Sequence, residues 1–376
     1  MKKYLSVLLI FVLVFALAAC GSDGDSKSDG DSDSGKAEPY TVGFIYIGTI
    51  EDGGFTQTQH AGTLAMEKHF GEDKVKTIYE EGIDDTNKEE TMNAAIRMID
   101  AGADVIVGCS FGFMDGLDEL ANDEQYRDIN FLHFSGNKMN DTNFGNYFGA
   151  TEEPRYLTGI IAGMQSETNK LGYVAAFPYT EVQIGINAFT LGAQSVNPDV
   201  EVNVVYINSW YDPTKEKEAA EALLDQGCDI ITQHADTAGP QQAAAAAGKL
   251  TIGYNLDNSG LEGLEDAYLT APIWHHEKFL IPTIEKMMDG TWKPDSYYGT
   301  MKDGYVGLTP LTKNVTDDAK AKVEEVQAKI EAGDFPIFKG PIKDNKGNVV
   351  VKDGETLDRE GIWKINYVVE GVSATE

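Results

Sequence analysis

From Tyr40 onward the chain alternates short apolar runs with longer amphipathic ones. TVGFIYI (41–47), ADVIVGC (103–109), INFLHF (129–134), KLGYVAAF (170–177), CDIITQH (228–234) and KLTIGYN (249–255) are near-continuous apolar stretches of strand length. Strands of a parallel sheet covered on both faces read this way. KVKTIYE (74–80) and VEVNVVYI (200–207) alternate instead, as half-buried strands do. Helical segments lie between them. One covers 54–70, with Leu64 and Ala65 expected to face inward. Another starts from a cap at Asp85 or Thr86 and ends at Gly102; others cover 114–123, 152–166, a stretch ending near 196, 213–226 and 238–247. This βαβα rhythm implies mostly parallel sheets with helices on both faces.

The rhythm runs twice. MIDAGADVIVG (98–108) and LLDQGCDIITQ (223–233) share a helix end, a glycine, an acidic residue and an apolar strand. Two doubly wound lobes follow, which suits 376 residues better than one core. The tail differs. AYLTAPIW (267–274) predicts a strand, 275–289 and 316–332 predict helices, and YYGTMKDGYVGLTPL (297–311) is expected to cross back between lobes. The turns around VVV in 342–355 predict a hairpin.

The first residues follow another pattern. Lys2 and Lys3 precede a nearly unbroken apolar run, Tyr4 to Leu17, and Leu17-Ala18-Ala19-Cys20 closes it. This is a secretory signal over 1–19, short for a membrane span. The Leu-Ala-Ala-Cys box resembles the lipobox of bacterial lipoproteins, which implies lipidation at Cys20 and an extracytoplasmic, lipid-anchored location; an ordinary signal with an incidental cysteine is the alternative. The Gly, Ser and Asp of 20–39 then read as a flexible tether, about 65 Å long when fully extended.

Charge narrows the partners. The chain carries a formal −31, and removing 1–19, which hold Lys2, Lys3 and no acid, leaves −33. Such a surface argues against nucleic acid and against a body lying flat on anionic lipid. Besides Cys20 the chain has Cys109 and Cys228, each inside an apolar strand run, and they are expected in different lobes, buried and free. No spacing of metal ligands occurs, and no cofactor is expected. His275-His276-Glu277 could suggest a metal fragment, but adjacent helical positions diverge, so solvent-facing and capping roles are expected. EDGGFT (51–56) lacks a phosphate-loop pattern, and its acids would repel phosphate. Without a nucleophile or acid–base constellation, the chain is not expected to be an enzyme.

In open α/β sheets, ligands sit beyond the carboxyl ends of the strands. There the sequence places Phe55, Phe111, Asp115, Phe177, Trp210, Asp236, Asn255, Asp257 and Trp274. Aromatics paired with carboxylates and amides suit a flat heteroaromatic ligand, stacked on its faces and hydrogen-bonded at its edge. Any single ring could equally be core packing.

At these positions the chain resembles the basic membrane protein (BMP) family, the substrate-binding lipoproteins of ABC transporters related to purine nucleoside receptors. The likeness runs from Thr41 to Val372 and includes GCSFGFMD (108–115), EEPRYLTGIIAG (152–163), NSWYDPTKE (208–216) and GPIKDNKG (340–347). It implies a type I periplasmic-binding-protein fold, with two parallel-sheet lobes, three crossovers and the ligand cleft between them. The lobes are expected at 40–149 plus about 258–296 and at 150–257 plus about 297–376. The resemblance implies stacking roles for Phe55 and Trp210 and a pocket carboxylate at Asp115. It also places Asn255 where nucleoside receptors carry an aspartate, and Trp274 where they carry a ribose-binding lysine. Those two differences point to a free purine base, or a ligand without an intact ribose. The implied role is an extracytoplasmic receptor, a monomer that delivers its ligand to an ABC permease; a surface sensor with the same fold and no transporter is the alternative.

Overall fold

The computed structural model describes residues 38–375. The signal segment, Cys20 and the tether up to residue 37 lie outside the described residues.

The first lobe opens with β1 (Tyr40–Ile45), α1 (Phe55–Phe70), β2 (Val75–Glu80), α2 (Lys88–Asp100), β3 (Val105–Gly108), α3 (Met114–Ala121), β4 (Asn130–Phe134) and β5 (Phe144–Gly149). The second lobe follows with α4 (Glu152–Gln165), β6 (Lys170–Ala175), α5 (Thr180–Gln194), β7 (Glu201–Tyr206), α6 (Pro213–Asp225), β8 (Ile230–His234), α7 (Gly239–Ala246) and β9 (Leu250–Thr251). After β9 come β10 (Pro272–Trp274), α8 (Glu277–Met288), β11 (Ser296–Gly299), β12 (Val306–Leu308), α9 (Asp317–Ala332), β13 (Ile342–Lys343), β14 (Val349–Val351), α10 (Arg359–Ile362) and β15 (Val372–Thr375).

The first sheet has the order β11-β5-β4-β3-β1-β2 and the second β15-β7-β6-β8-β9. Every pairing within them is parallel. The β10–β12 and β13–β14 pairs are antiparallel, the latter being the expected hairpin. β11 pairs with β5 and so extends the first sheet to Gly299.

Continuous burial along β1, β3, β6 and β8 follows from helices on both faces. In the second lobe α4 and α5 touch backbone to backbone. A Cβ on Gly159 would lie 2.0 Å from the Phe189 carbonyl oxygen, and one on Gly192 the same distance from that of Tyr156.

Several expectations are corrected. Leu64 on α1 is half exposed, because that helix turns Thr56, Thr58, Gln59, Gly62, Thr63 and Met66 inward. α2 is capped by Asn87, whose side chain accepts from Glu90 N, and not by Asp85 or Thr86. The expected strand 267–274 is regular only over β10. β5, β11 and β15 were not expected at all. His276 is fully buried, hydrogen-bonded to Tyr305 Oη at 3.1 Å and stacked on Trp274, so it has no solvent role; His275 pairs with Glu277 at 3.6 Å. Cys109 and Cys228 are buried and free.

Candidate functional site

The carboxyl ends of both sheets face one cleft of about 410 Å³, part of it open to solvent. The first lobe contributes Ile47 after β1, Phe55 at the start of α1, Ser110 and Phe111 after β3, Phe134 and Ser135 at the end of β4, and Phe148 on β5. The second contributes Glu181 in the first turn of α5, Trp210 after β7, His234 and Asp236 at the end of β8, and Tyr254 after β9. Trp274 on β10 completes the lining. Successive strands of a parallel sheet deliver their ends to one edge, which is why residues so distant in sequence converge here.

Five of the nine residues read from the sequence line this cleft: Phe55, Phe111, Trp210, Asp236 and Trp274. The other four do not. Asp115 points outward from α3, its side chain 62% exposed, and pairs with Lys138 at 2.9 Å. Phe177 backs the wall, stacked on Tyr179 with centroids 5.0 Å apart and edge-on to Trp210 at 5.3 Å. Asn255 is buried behind Trp274 and accepts its indole N–H at 3.0 Å. Asp257 is exposed and accepts from Ser259 N.

Glu181, Phe134, Ser135 and Phe148 were not singled out. An acid in the first turn of a helix that follows a buried strand was the available signal for Glu181. Phe148 lies on β5, whose sequence FGNYFG reads more as turn than strand. His234 and Tyr254 sat in the strand-end segments without being picked out.

The lobes touch across the cleft. Ser135 donates to Glu181, and the Phe111 and Tyr179 rings are 6.3 Å apart. Gly54 packs directly on the backbone of Asp236, where an added Cβ would lie 1.8 Å from the carbonyl oxygen. Asp52 builds this loop, with one carboxylate oxygen accepting from Gly54 N and Gln57 N and the other from Thr56 N. Asp85, freed from capping, accepts from Ser110 Oγ at 2.7 Å.

Burial sets the electrostatics. It pushes the Glu181 carboxyl up to about 7, and pushes Asp236 well above the carboxylate range with help from nearby Asp52, Glu216, Glu181 and Asp85. Burial, then the Arg155 charge, holds His234 well below its ordinary value, so it is neutral. Arg155 is itself fully buried, 4.0 Å over the Tyr254 ring, and donates to Gln233 O at 2.7 Å. Despite the number of acids, no group of three or more His, Cys, Asp or Glu side chains among the described residues could hold a metal ion. The cleft is therefore an aromatic slot with two protonatable carboxyls, a neutral imidazole and no cation on its lining.

Known proteins share this architecture. A family model for ABC transporter substrate-binding proteins of the PnrA-like type matches residues 40–337. A purine-binding protein of Brucella abortus (strain 2308) is 38% identical over 335 residues, 89% of this chain and 93% of its own length. A protein of Haloferax volcanii, named for an ABC transporter glucose-binding role, is 34% identical over 84% of this chain and 78% of its own. Among solved structures, a solute-binding protein of an ABC transporter system from Aeropyrum pernix K1 has a TM-score of 0.69 at 20% identity, covering 81% of this chain and 93% of its own; at that identity it shows the fold alone. The fold is that of the type I periplasmic binding proteins, and the chain belongs to the PnrA-like family of ABC transporter substrate-binding proteins.

Proposed function

We propose that this protein is an extracytoplasmic, lipid-anchored receptor that captures a free purine base between its lobes and presents it to an ABC permease. It has no catalytic role in this reading. One observation carries it: both lobes supply aromatic rings to a slot whose polar edge is carboxyl and hydroxyl. Phe55, Phe111, Trp210 and Trp274 take the faces of the ring system, and Glu181 and Asp236 its edge. We assign residues 40–149 with about 258–299 to the first lobe and the remainder to the second, since β11 pairs with β5. Cys20 carries the lipid.

The purine-binding relative from Brucella agrees with this ligand class. The glucose-binding name of the Haloferax relative does not, and the slot here suits a sugar poorly. A hexose presents a hydroxyl on nearly every carbon, and the lining has no Asn, Gln, Lys or Arg to engage them. A ribose is disfavoured because Asn255 and Trp274 are spent on each other. The sensor reading has some support of its own, since a relative in Bacillus subtilis (24% identical) is named a transcriptional activator.

Calorimetry with adenine, guanine, hypoxanthine, their ribosides and glucose tests the proposal. Bases are expected to bind most tightly. Submicromolar binding of ribosides or glucose without binding of the bases would overturn it.

A further inference from the structure

Resting on the purine reading, the polar atoms of the slot say which purine edge it can read. Most protein N–H and O–H groups there are already committed. Ser110 Oγ donates to Asp85 Oδ2 at 2.7 Å, behind the wall. Ser135 Oγ donates to Glu181 Oε2 across the lobes. Trp274 Nε1 donates to Asn255 Oδ1. Tyr254 Oη and His234 Nε2 face each other at 3.4 Å, and His234 Nδ1 is buried beside Gly185 without a hydrogen-bond partner among the described residues.

What these bonds leave toward a ligand is mostly oxygen lone pairs, on the two serines and on Glu181; Asp236, which burial and neighbouring acids keep protonated, adds one O–H. The indole N–H of Trp210 has no protein partner among the described residues and is left for a ring nitrogen. A serine whose proton is fixed on a carboxylate can only accept from a third group. An exocyclic amine placed against such a wall gains bonds, whereas a carbonyl placed there faces lone pairs and loses those it had with water.

We propose that the slot selects aminopurines, reading the exocyclic amine through the acceptor wall formed by Ser110, Ser135 and Glu181. Purines bearing carbonyls in its place, and the anions that the more oxidised ones form, are rejected by the same oxygens. Glu181 is the specificity-determining residue, because it alone both lines the slot and orients a second acceptor on the opposite lobe.

Two matched pairs isolate the amine: adenine against purine, and guanine against hypoxanthine. Each pair differs by one amino group on an otherwise equal ring system. Calorimetry on the wild-type protein at pH 8, where Glu181 is ionised, should give at least about tenfold tighter binding for the amine-bearing member of each pair, the scale of one hydrogen bond to a charged acceptor. Glu181→Gln, which replaces an acceptor oxygen by an N–H donor, should shrink both ratios while retaining a base-dependent rise in melting temperature. Ser135→Ala provides a second variant with the Glu181 carboxyl intact, and should shrink the ratios less. If the bases bind but the members of each pair bind equally, this inference fails and the purine reading stands. If no base binds, the purine reading itself has failed.

Discussion

Gly54→Ala should uncouple ligand binding from folding. Gly54 precedes α1 in the first lobe at φ −155° and ψ −115°, outside the regions that residues with a Cβ favour. Its neighbour across the cleft excludes a side chain as well. An added Cβ would lie 1.8 Å from Asp236 O, 2.6 Å from its carbonyl carbon and 3.2 Å from its Cα. Real contacts of a Cβ do not fall below 3.0 Å, so the lobes must separate by at least 1.2 Å at this point, the difference from 1.8 Å. The obstructing atoms are backbone and cannot rotate away. A radial gap of 0.5–1 Å already forfeits about a quarter to a half of a dispersion contact. A base held between Phe55 and Trp210 from opposite lobes loses optimal stacking on one side at least. With stacking worth about 1–3 kcal/mol per face, and the weakened edge bonds added, a loss of about 3 kcal/mol follows, roughly a hundredfold in Kd. The unliganded protein needs no closure, so its melting temperature should fall only by the backbone cost of an alanine at this φ/ψ, about 1 kcal/mol. Gly53→Ala is the contrasting control. Gly53 has φ +78° and nothing within 4 Å of the added Cβ, so it should cost about 1 kcal/mol of folding and little affinity. Adenine calorimetry with melting curves for the free and bound protein provides the assay. Wild-type affinity in Gly54→Ala would refute the claim that binding requires this closure. An equal loss of unliganded stability would show that the contact serves the fold.

Other outcomes can be checked alongside. Trp210→Ala should weaken base binding by about 1–3 kcal/mol, the worth of one stacking face; unchanged affinity would make Trp210 core packing, buttressed by Phe177. Stability should fall as pH rises from 6.5 to 8.5. Burial raises Glu152 to about 8 and Glu153, Glu181 and Glu216 to about 7, so the folded state holds protons that the unfolded state has released, and their contribution is lost through that window. Buried His133 and His276, held down to about 4 and about 3, oppose this only below about 6.5, so a melting temperature that is flat or rising above 6.5 would contradict the assignment. Cys109 and Cys228 should resist a thiol reagent in the native protein and react together on unfolding, since both are buried and burial raises both thiols; rapid native labelling of either would show that its lobe opens readily.

How far the site was legible depended on how each residue comes to face the cleft. Phe55, Trp210 and Asp236 follow directly on strands or begin the next element, so chain order alone brings them to the sheet edge. Asp115 is the second residue of α3, and the helix's rotation, which sequence spacing near a glycine pair did not fix, carries it out to Lys138. Asn255 stands next to Tyr254 on the same strand end; the φ of +69° at Asn255 turns it behind Trp274 while Tyr254 faces in. Asp85 looked like a cap, and its true partner, Ser110, lies 25 residues away.

The sequence by itself determined the alternation of elements, the parallel character of the sheets and their duplication, because apolar runs and helical periods are local and repeat along the chain. It also determined that Cys109 and Cys228 would be buried, although each lies just outside its expected strand, since β3 ends at Gly108 and β8 begins at Ile230. Only the tertiary structure decided that β5, β11 and β15 complete the sheets: FGNYFG, SYYG and VSAT carry weak local signals and become strands because a neighbouring edge pairs with them. Closure was settled there as well. Gly54 on Asp236 and Ser135 on Glu181 join residues 182 and 46 positions apart, and such contacts depend on how two finished lobes meet, which no local pattern encodes.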